Sequence, residues 1–355
     1  MKWKRPSRQR KWRKRRRLGL HGLGWIWVLL LMTISIGVPF LIVQHTDPFE
    51  QGKTGIQGKQ AKEAVTEMVL IEEDRDPEVT VYVTKQKRID TLSLERYVRG
   101  VVAAEMPISF QLEAMKAQAI AARTYIIRRL HHQDNSQVPV EGAIVTDTVW
   151  HQAFVSEEEL KQRWGTQYTA HMNKLTRAVN ETRGWIATYE DQPIEAAFFS
   201  TSNGYTENAE DYWSQAVPYL KSVASPWDVD ISPKYEQQLS LPYEEVREKL
   251  GLPLTQRGGV AAPDYQVLSE TAGHRIREIR IEGKTFTARE VREQLGLPST
   301  DFEWKNDQNH VQITSFGYGH GIGMSQYGAE GMARAGKSAE EILKYYYQGT
   351  ELQKF

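Results

Sequence analysis

The sequence predicts an α+β protein: a mixed α/β body with an inserted subsidiary unit, preceded by one N-terminal transmembrane helix. Three observations carry this. Val79, Val81 and Val83 alternate with Thr80, Tyr82 and Thr84, the period of a half-buried strand. Leu112, Met115, Ala119, Ala122, Ile126 and Leu130 recur at spacings of three and four, the apolar stripe of a helix. Leu23 to Val43 is a run of twenty-one residues without a charge. That is long enough to cross a hydrocarbon core of about 30 Å.

Taken in order, residues 1 to 22 form a basic tail, with eleven Lys and Arg and no acidic residue among the first seventeen positions. A basic flank stays in the cytoplasm, so the span at 23–43 is expected to place residues 44–355 outside. The apolar run is longer than a signal-peptide core and lacks a small-residue cleavage site. Beyond the tail, 34 Lys and Arg face 45 Asp and Glu, a balance near −11 that argues against a nucleic-acid partner. Cysteine is absent, which excludes disulfides, a thiolate nucleophile and Cys-based zinc sites. Residues 44 to 77 read as a polar tether with Gly52, Gly55 and Gly58.

The extracytoplasmic domain spans 78–355. After the strand at Val79, a second is expected around Ile89 to Leu92, and the helix with the apolar stripe follows Pro107, with Lys116, Gln118 and Arg123 off the stripe. Val145 to Trp150 reads as a short strand and Glu157 to Gly184 as helical. Trp185 to Tyr189 and Ile194 to Thr201 read as a hairpin across Asp191-Gln192-Pro193. The subsidiary unit is placed at about 228–310. There LPYEEVREKLGLPL at 241–254 resembles FTAREVREQLGLPS at 286–299, each a short helix stopped by Gly and then Pro. Thr287 with Glu290 makes a capping box for the second copy, and two copies are too few for a solenoid. A helix is expected from Met324 to Ala335, and Ser338 with Glu341 caps the last one.

Three stretches carry chemistry. Glu105 ends the apolar run Val101 to Ala104, just before Met106-Pro107. A carboxylate among small apolar residues is desolvated, which raises its pKa toward that of an acid catalyst. The alternative is a solvated glutamate at the end of a core segment. Phe198 to Trp213 combines the hydroxyl- and amide-rich turn Ser200 to Gly204 with Tyr205, Tyr212 and Trp213. Hydroxyls, amides and flat rings suit a carbohydrate cleft, while an ordinary Asn-Gly turn beside core aromatics is the alternative. Phe316 to Ala329 has glycine at 317, 319, 321 and 323, which allows a sharply folded backbone. Its spacing fits neither a dinucleotide fingerprint nor a phosphate loop. Ser325 misses the spacing of a nucleophile elbow, although a serine esterase or amidase using Ser325 and His320 is a further reading. His131, His132 and His151 lack ordered ligand spacing, and no metal or other cofactor is expected.

Together, YVRGVVAAEMP at 97–107, AFFSTSNGYTENAEDYW at 197–213 and GYGHGIGMSQYGAEGMA at 317–333 resemble the stage II sporulation protein D family, in order and in spacing. The likeness covers residues 79 to 350. It implies a membrane-anchored peptidoglycan lytic transglycosylase of sporulation, cutting glycan strands to 1,6-anhydro-muramic products during forespore engulfment. Glu105 would be its general acid and base. By the same resemblance Ser202, Asn203, Thr206, His320, Ser325, Gln326 and Tyr327 are candidate substrate-binding residues. Implied partners are glycan strands denuded of stem peptides, a cell-wall amidase that denudes them and a membrane scaffold of the engulfment machinery. The implied location is the mother-cell membrane, facing the forespore. Some relatives carry Cys and His in the region matching Val145 to His151, where this chain has Val145 and Trp150, so no metal is carried over. The rival within the resemblance is a non-catalytic wall-binding activator of a partner amidase, which would survive loss of Glu105.

Overall fold

A computed structural model describes residues 76–253 and 262–355. The tail, the apolar span at 23–43 and nearly all of the tether lie outside the described residues. Among those described, no helix is long and apolar enough to cross a membrane.

The body is mixed α and β. Strand β1 (Glu78–Val83) buries Val79, Val81 and Val83 as its alternation requires. It lies between antiparallel β2 (Arg88–Ser93) and, in parallel, β3 (Val145–Thr146). Helix α1 (Leu94–Glu105) starts directly from β2. It stops at Glu105 because Met106 precedes Pro107, whose ring disfavours helical backbone before it, and Met106 is extended at φ −117° and ψ 138°.

Helix α2 (Leu112–His132) is the centre of the body. The single stripe expected for it understates its burial, since α1, α4 (Tyr168–Asn180) and β4 (Trp185–Tyr189) all pack on it. Small side chains at Ala117, Ala119, Ala121 and Ala122 admit that crowding, and Gln118 and Arg123 end up fully buried too. Arg123 is paired there: its Nε donates to Glu95 Oε1 (2.8 Å), Nη2 to Glu95 Oε2 (2.6 Å) and Nη1 to the Trp185 carbonyl (3.1 Å). This pair ties α1, and hence Glu105, to the central helix.

Other expectations are amended. The strand at 145–150 is only β3, because the chain turns at Thr148 and leaves Val149 and Trp150 exposed. The helical stretch 157–184 breaks at Gly165 into α3 (Glu157–Trp164) and α4, joined by a 3-10 turn. The hairpin is short: β4 pairs with β5 (Gln192–Pro193) on one side and with the C-terminal strand Glu351–Lys354 on the other. Ile194 onward leaves the sheet, and β6 (Phe198–Phe199) pairs in parallel with Met324–Ser325. The Ala197 carbonyl accepts the Met324 N–H (3.0 Å) and the Tyr347 hydroxyl (2.8 Å), which draws this segment to the C-terminal elements.

A second apolar core runs from Leu241 to Ile313. Strand β7 (Glu236–Pro242) leads into α5 (Tyr243–Leu250), and β8 (Tyr265–Glu270), β9 (Ile276–Ile281) and β10 (Lys284–Thr287) form one antiparallel sheet. Helix α6 (Ala288–Leu295) follows, then β11 (Phe302–Asp307) and β12 (His310–Phe316), which join β7 in a second sheet. The repeated segments are α5 and α6, burying Val246 and Leu250 beside Val291 and Leu295. Gly251 and Gly296 take left-handed φ of 59° and 70°, and the Thr287–Glu290 capping box is formed.

Glycines 317, 319, 321 and 323 all have positive φ, between 76° and 115°. The tightest is Gly323, where a Cβ would lie 2.1 Å from the Ala197 carbonyl oxygen. Gly323→Ala should therefore cost more than about 1 kcal/mol and lower the melting temperature. An unchanged melting temperature would contradict this backbone path. The short strand β13 (Met324–Ser325), helix α7 (Gln326–Arg334), capped by Ser325, and helix α8 (Ala339–Tyr346), with its Ser338–Glu341 box, complete the body.

Candidate active site

Glu105 is half-buried at the last residue of α1. Its Oε1 accepts the backbone N–H of Ala153 (3.0 Å) and its Oε2 accepts from Nε2 of Gln326 (3.1 Å). Burial raises its pKa above the ordinary 4.5, outweighing the opposing pull of those two donors and of the Lys234 charge. Its seat at the C-terminal, electronegative end of a helix acts in the same direction as burial. A carboxyl of this kind retains a proton nearer neutrality and, once ionised, has two donors waiting to receive the charge.

The surroundings are fixed from three sides. The loop 147–153 is held by Asp147, which accepts from the Thr84 hydroxyl (2.8 Å), and by His151. His151 Nδ1 lies 2.9 Å from the Thr146 hydroxyl and its Nε2 lies 3.2 Å from the Ser136 carbonyl oxygen. Burial lowers its pKa. Lys174 donates to the carbonyls of Ile108 (2.8 Å) and Phe110 (2.5 Å), pinning the segment between α1 and α2. The Gln111 N–H donates to the buried Glu330 carboxylate in the middle of α7 (2.6 Å), which ties that helix to the segment after Glu105.

Of the residues expected in the site, Gln326 touches Glu105 directly. Tyr327 is the next residue in the chain, its ring edge-on to Phe110 at 5.0 Å. The others are committed within the protein. Ser325 gives its hydroxyl proton to Asp228 rather than to His320, and accepts the Gly328 N–H that caps α7. Asp228, fully buried, also accepts from the Ser202 N–H (2.9 Å) and the Ser225 hydroxyl (2.7 Å). Thr206 is buried and pairs with the backbone of Val223. Asn203 reaches the second core, donating to the Gly273 carbonyl (3.0 Å) and to Asp301 (2.9 Å). His320 is ringed by Phe199, Tyr212 and Trp213, with its Nδ1 accepting the Ile322 N–H (3.0 Å). Burial and the nearby Arg292 and Arg275 push its pKa down to about 3, so the ring is neutral. That arrangement offers Ser325 no histidine base, and its proton goes to a carboxylate that the Ser202 N–H and the Ser225 hydroxyl also hold within the protein.

Three participants are invisible in the sequence patterns. Ala153 contributes a backbone N–H, which no side-chain motif reveals. Lys234 lies on a segment that no motif marks. Asp228 positions Ser325, and through it the first turn of α7. Among the described residues no group of three or more His, Cys, Asp or Glu is placed to hold a metal ion. A cavity of about 580 Å³ between the start of α2 and α4 is lined by Leu112, Lys174 and Arg177 and is separate from Glu105. Chemistry, not cavity size, marks the candidate site.

A family model described as Stage II sporulation protein matches residues 82–189, which include Glu105 and Ala153. The stage II sporulation protein D of Bacillus subtilis is 44% identical over 329 residues, covering 92% of each chain. That of Bacillus amyloliquefaciens is 49% identical over 274 residues, 77% of this chain and 78% of the relative. A Bacillus subtilis protein named Amidase enhancer is 30% identical over 307 residues, 73% of this chain and 40% of the relative. On this similarity, carried across nearly the full length of both sequences, the chain belongs to the stage II sporulation protein D family.

Proposed function

We propose that the chain is a peptidoglycan lytic transglycosylase with Glu105 as its single acid and base. The observation that carries this reading is a half-buried carboxyl whose two oxygens each accept one neutral donor, the Ala153 N–H and the Gln326 amide, and whose burial raises its pKa. Glycosidases that use water generally need two carboxyl groups. A transglycosylase needs one, because the nucleophile is the 6-hydroxyl of the N-acetylmuramic acid being cut. Protonated Glu105 gives its proton to the glycosidic oxygen as that bond breaks. The resulting carboxylate, held by Ala153 N–H and Gln326, takes the proton of the 6-hydroxyl as its oxygen bonds to C1. The products are a 1,6-anhydro-muramic end and a new N-acetylglucosamine end, and Glu105 is protonated again.

Membrane attachment through 23–43, exposure of the body outside the mother cell and action beside a denuding amidase during engulfment belong to the same proposal. The relative named Amidase enhancer favours a second reading, a wall-binding activator of an amidase. Incubating purified stem-free strands with the full chain and no amidase separates the two. Shortened strands support the lytic reading, and intact strands together with a stimulated amidase support the activator.

The pKa shift fixes a pH dependence. The active form is protonated, so the turnover rate should fall as pH rises through the folded pKa of Glu105, at a value above 4.5. Gln326→Ala removes a donor that favours the ionised form and should move that fall to higher pH. A pH–rate profile checks it, and a shift to lower pH would contradict the assigned hydrogen bond.

A further inference from the structure

One cation of the body, Lys234, has no role in the acid–base cycle. Lys234 is exposed, and its Nζ sits 4.6 Å from the centroid of the Tyr318 ring, itself 39% exposed. The backbone around it is fixed. The Lys234 N–H donates to the Ser232 hydroxyl (3.2 Å), and the next carbonyl, of Tyr235, accepts the Gly317 N–H (2.7 Å). Tyr318 is fastened in turn by paired backbone bonds with Thr201 (2.7 and 3.1 Å). Many of the body's other cations have carboxylate partners, among them Arg88, Arg99, Lys116, Arg123 and Arg128. Among the described residues Lys234 has none. Ser200, next to Thr201, reaches the surroundings of the acid: its carbonyl accepts the N–H of Tyr327 (3.1 Å), the neighbour of Gln326, which donates to Glu105. An ammonium held on an aromatic face on that side offers its charge to an anion.

We propose that Lys234 and Tyr318 form a carboxylate subsite that receives the 3-O-lactyl group of the muramic acid at the cleavage point. The inference rests on the lytic reading and extends it to the substrate's chemical state. A glycan backbone of N-acetylated hexosamines is neutral apart from this one group. With a stem peptide attached, the lactyl carbon is an amide and carries no charge. Once the peptide is removed it is a carboxylate, which can accept a charge-assisted bond from Lys234 that an amide cannot match. The Tyr318 ring holds the ammonium in place and adds a flat face for the sugar. A positively charged reader therefore selects bare strands at the bond to be cut.

The test uses the full chain and two preparations of stem-free strands, one with free lactyl carboxylates and one with each converted to the primary carboxamide. The wild type should cleave the carboxylate strands with a kcat/KM about 10-fold or more higher, the range of one charge-assisted bond. The preference should weaken as salt is added. Lys234→Met should erase it, bringing the carboxylate strands down to the level of the amidated ones mainly through KM, and Lys234→Arg should keep most of it. A Lys234→Met protein with an unchanged ratio between substrates overturns the subsite. So does one that shifts only the pH–rate profile, since Lys234 would then act through Glu105 alone. Binding of both strand types to Glu105→Gln protein reads the same preference without turnover. If the wild type cleaves neither preparation, the lytic reading fails, while a binding preference lost in the Lys234→Met, Glu105→Gln double variant still supports the subsite, and equal binding of both strand types removes it.

Discussion

Glu105→Gln is expected to lower glycan cleavage by about 10²- to 10⁴-fold, the usual contribution of a positioned acid–base group. This corresponds to roughly 3 to 5 kcal/mol of barrier. The fold should survive. The glutamine carbonyl can still accept the Ala153 N–H, and Gln326 can turn its amide so that its oxygen faces the new NH2 group. Removing a buried ionisable carboxyl also relieves desolvation, so stability should stay within about 0.5 kcal/mol of wild type. Strand binding should persist for the same reasons of shape. Cleavage of stem-free strands, with a thermal melt alongside, measures both quantities. A folded variant that cleaves at nearly the wild-type rate would remove Glu105 from the chemistry and favour the activator reading.

The second large effect is on stability. Arg123→Met should destabilise the protein by about 3 to 5 kcal/mol, because it leaves Glu95 charged and buried without its partner. Both side chains are essentially inaccessible, at 0% and 1% exposure, so solvent cannot replace the lost bonds. Glu95→Gln combined with Arg123→Met should recover much of the loss, since no uncompensated charge remains. Urea denaturation of the two single variants and the double variant closes the cycle. A loss below about 1 kcal/mol for Arg123→Met would mean that the pair is not buried in solution. Function follows from this placement, because Glu95 and Glu105 share one twelve-residue helix and that pair sets how the helix lies on α2.

Much of this was legible where one short-range rule decides the outcome. The β1 alternation, the capping boxes at Thr287 and Ser338 and the end of α1 before Pro107 each follow from local chemistry. The four alternating glycines allow a sharply folded backbone, and all four take positive φ. Legibility failed where packing decides. Nothing local distinguishes a helix covered on one side from one covered all round, so Gln118 and Arg123 fall off the apolar stripe and are buried all the same. The hairpin at Pro193 looked long because Phe198 and Phe199 suit a strand, but their partner is Met324–Ser325, far along the chain. In the site, Glu105 and Gln326 were readable as motif residues. The Ala153 N–H and the Lys234 ammonium were not, since a backbone donor has no sequence signature and a lone lysine resembles any solvated one. Ser202, Thr206 and Ser325 drew notice as hydroxyls, and their structural reason is a buried network around Asp228.

The most direct test of the central claim is the chemistry of the new chain ends. Stem-free strands are digested by the full chain in water enriched in heavy oxygen, and the fragments are weighed by mass spectrometry. Attack by the 6-hydroxyl predicts 1,6-anhydro-muramic ends, one water lighter than reducing ends and free of the heavy isotope. These should disappear with Glu105→Gln. Reducing muramic ends carrying the heavy oxygen would show that water is the nucleophile and would contradict the account of a single carboxylate.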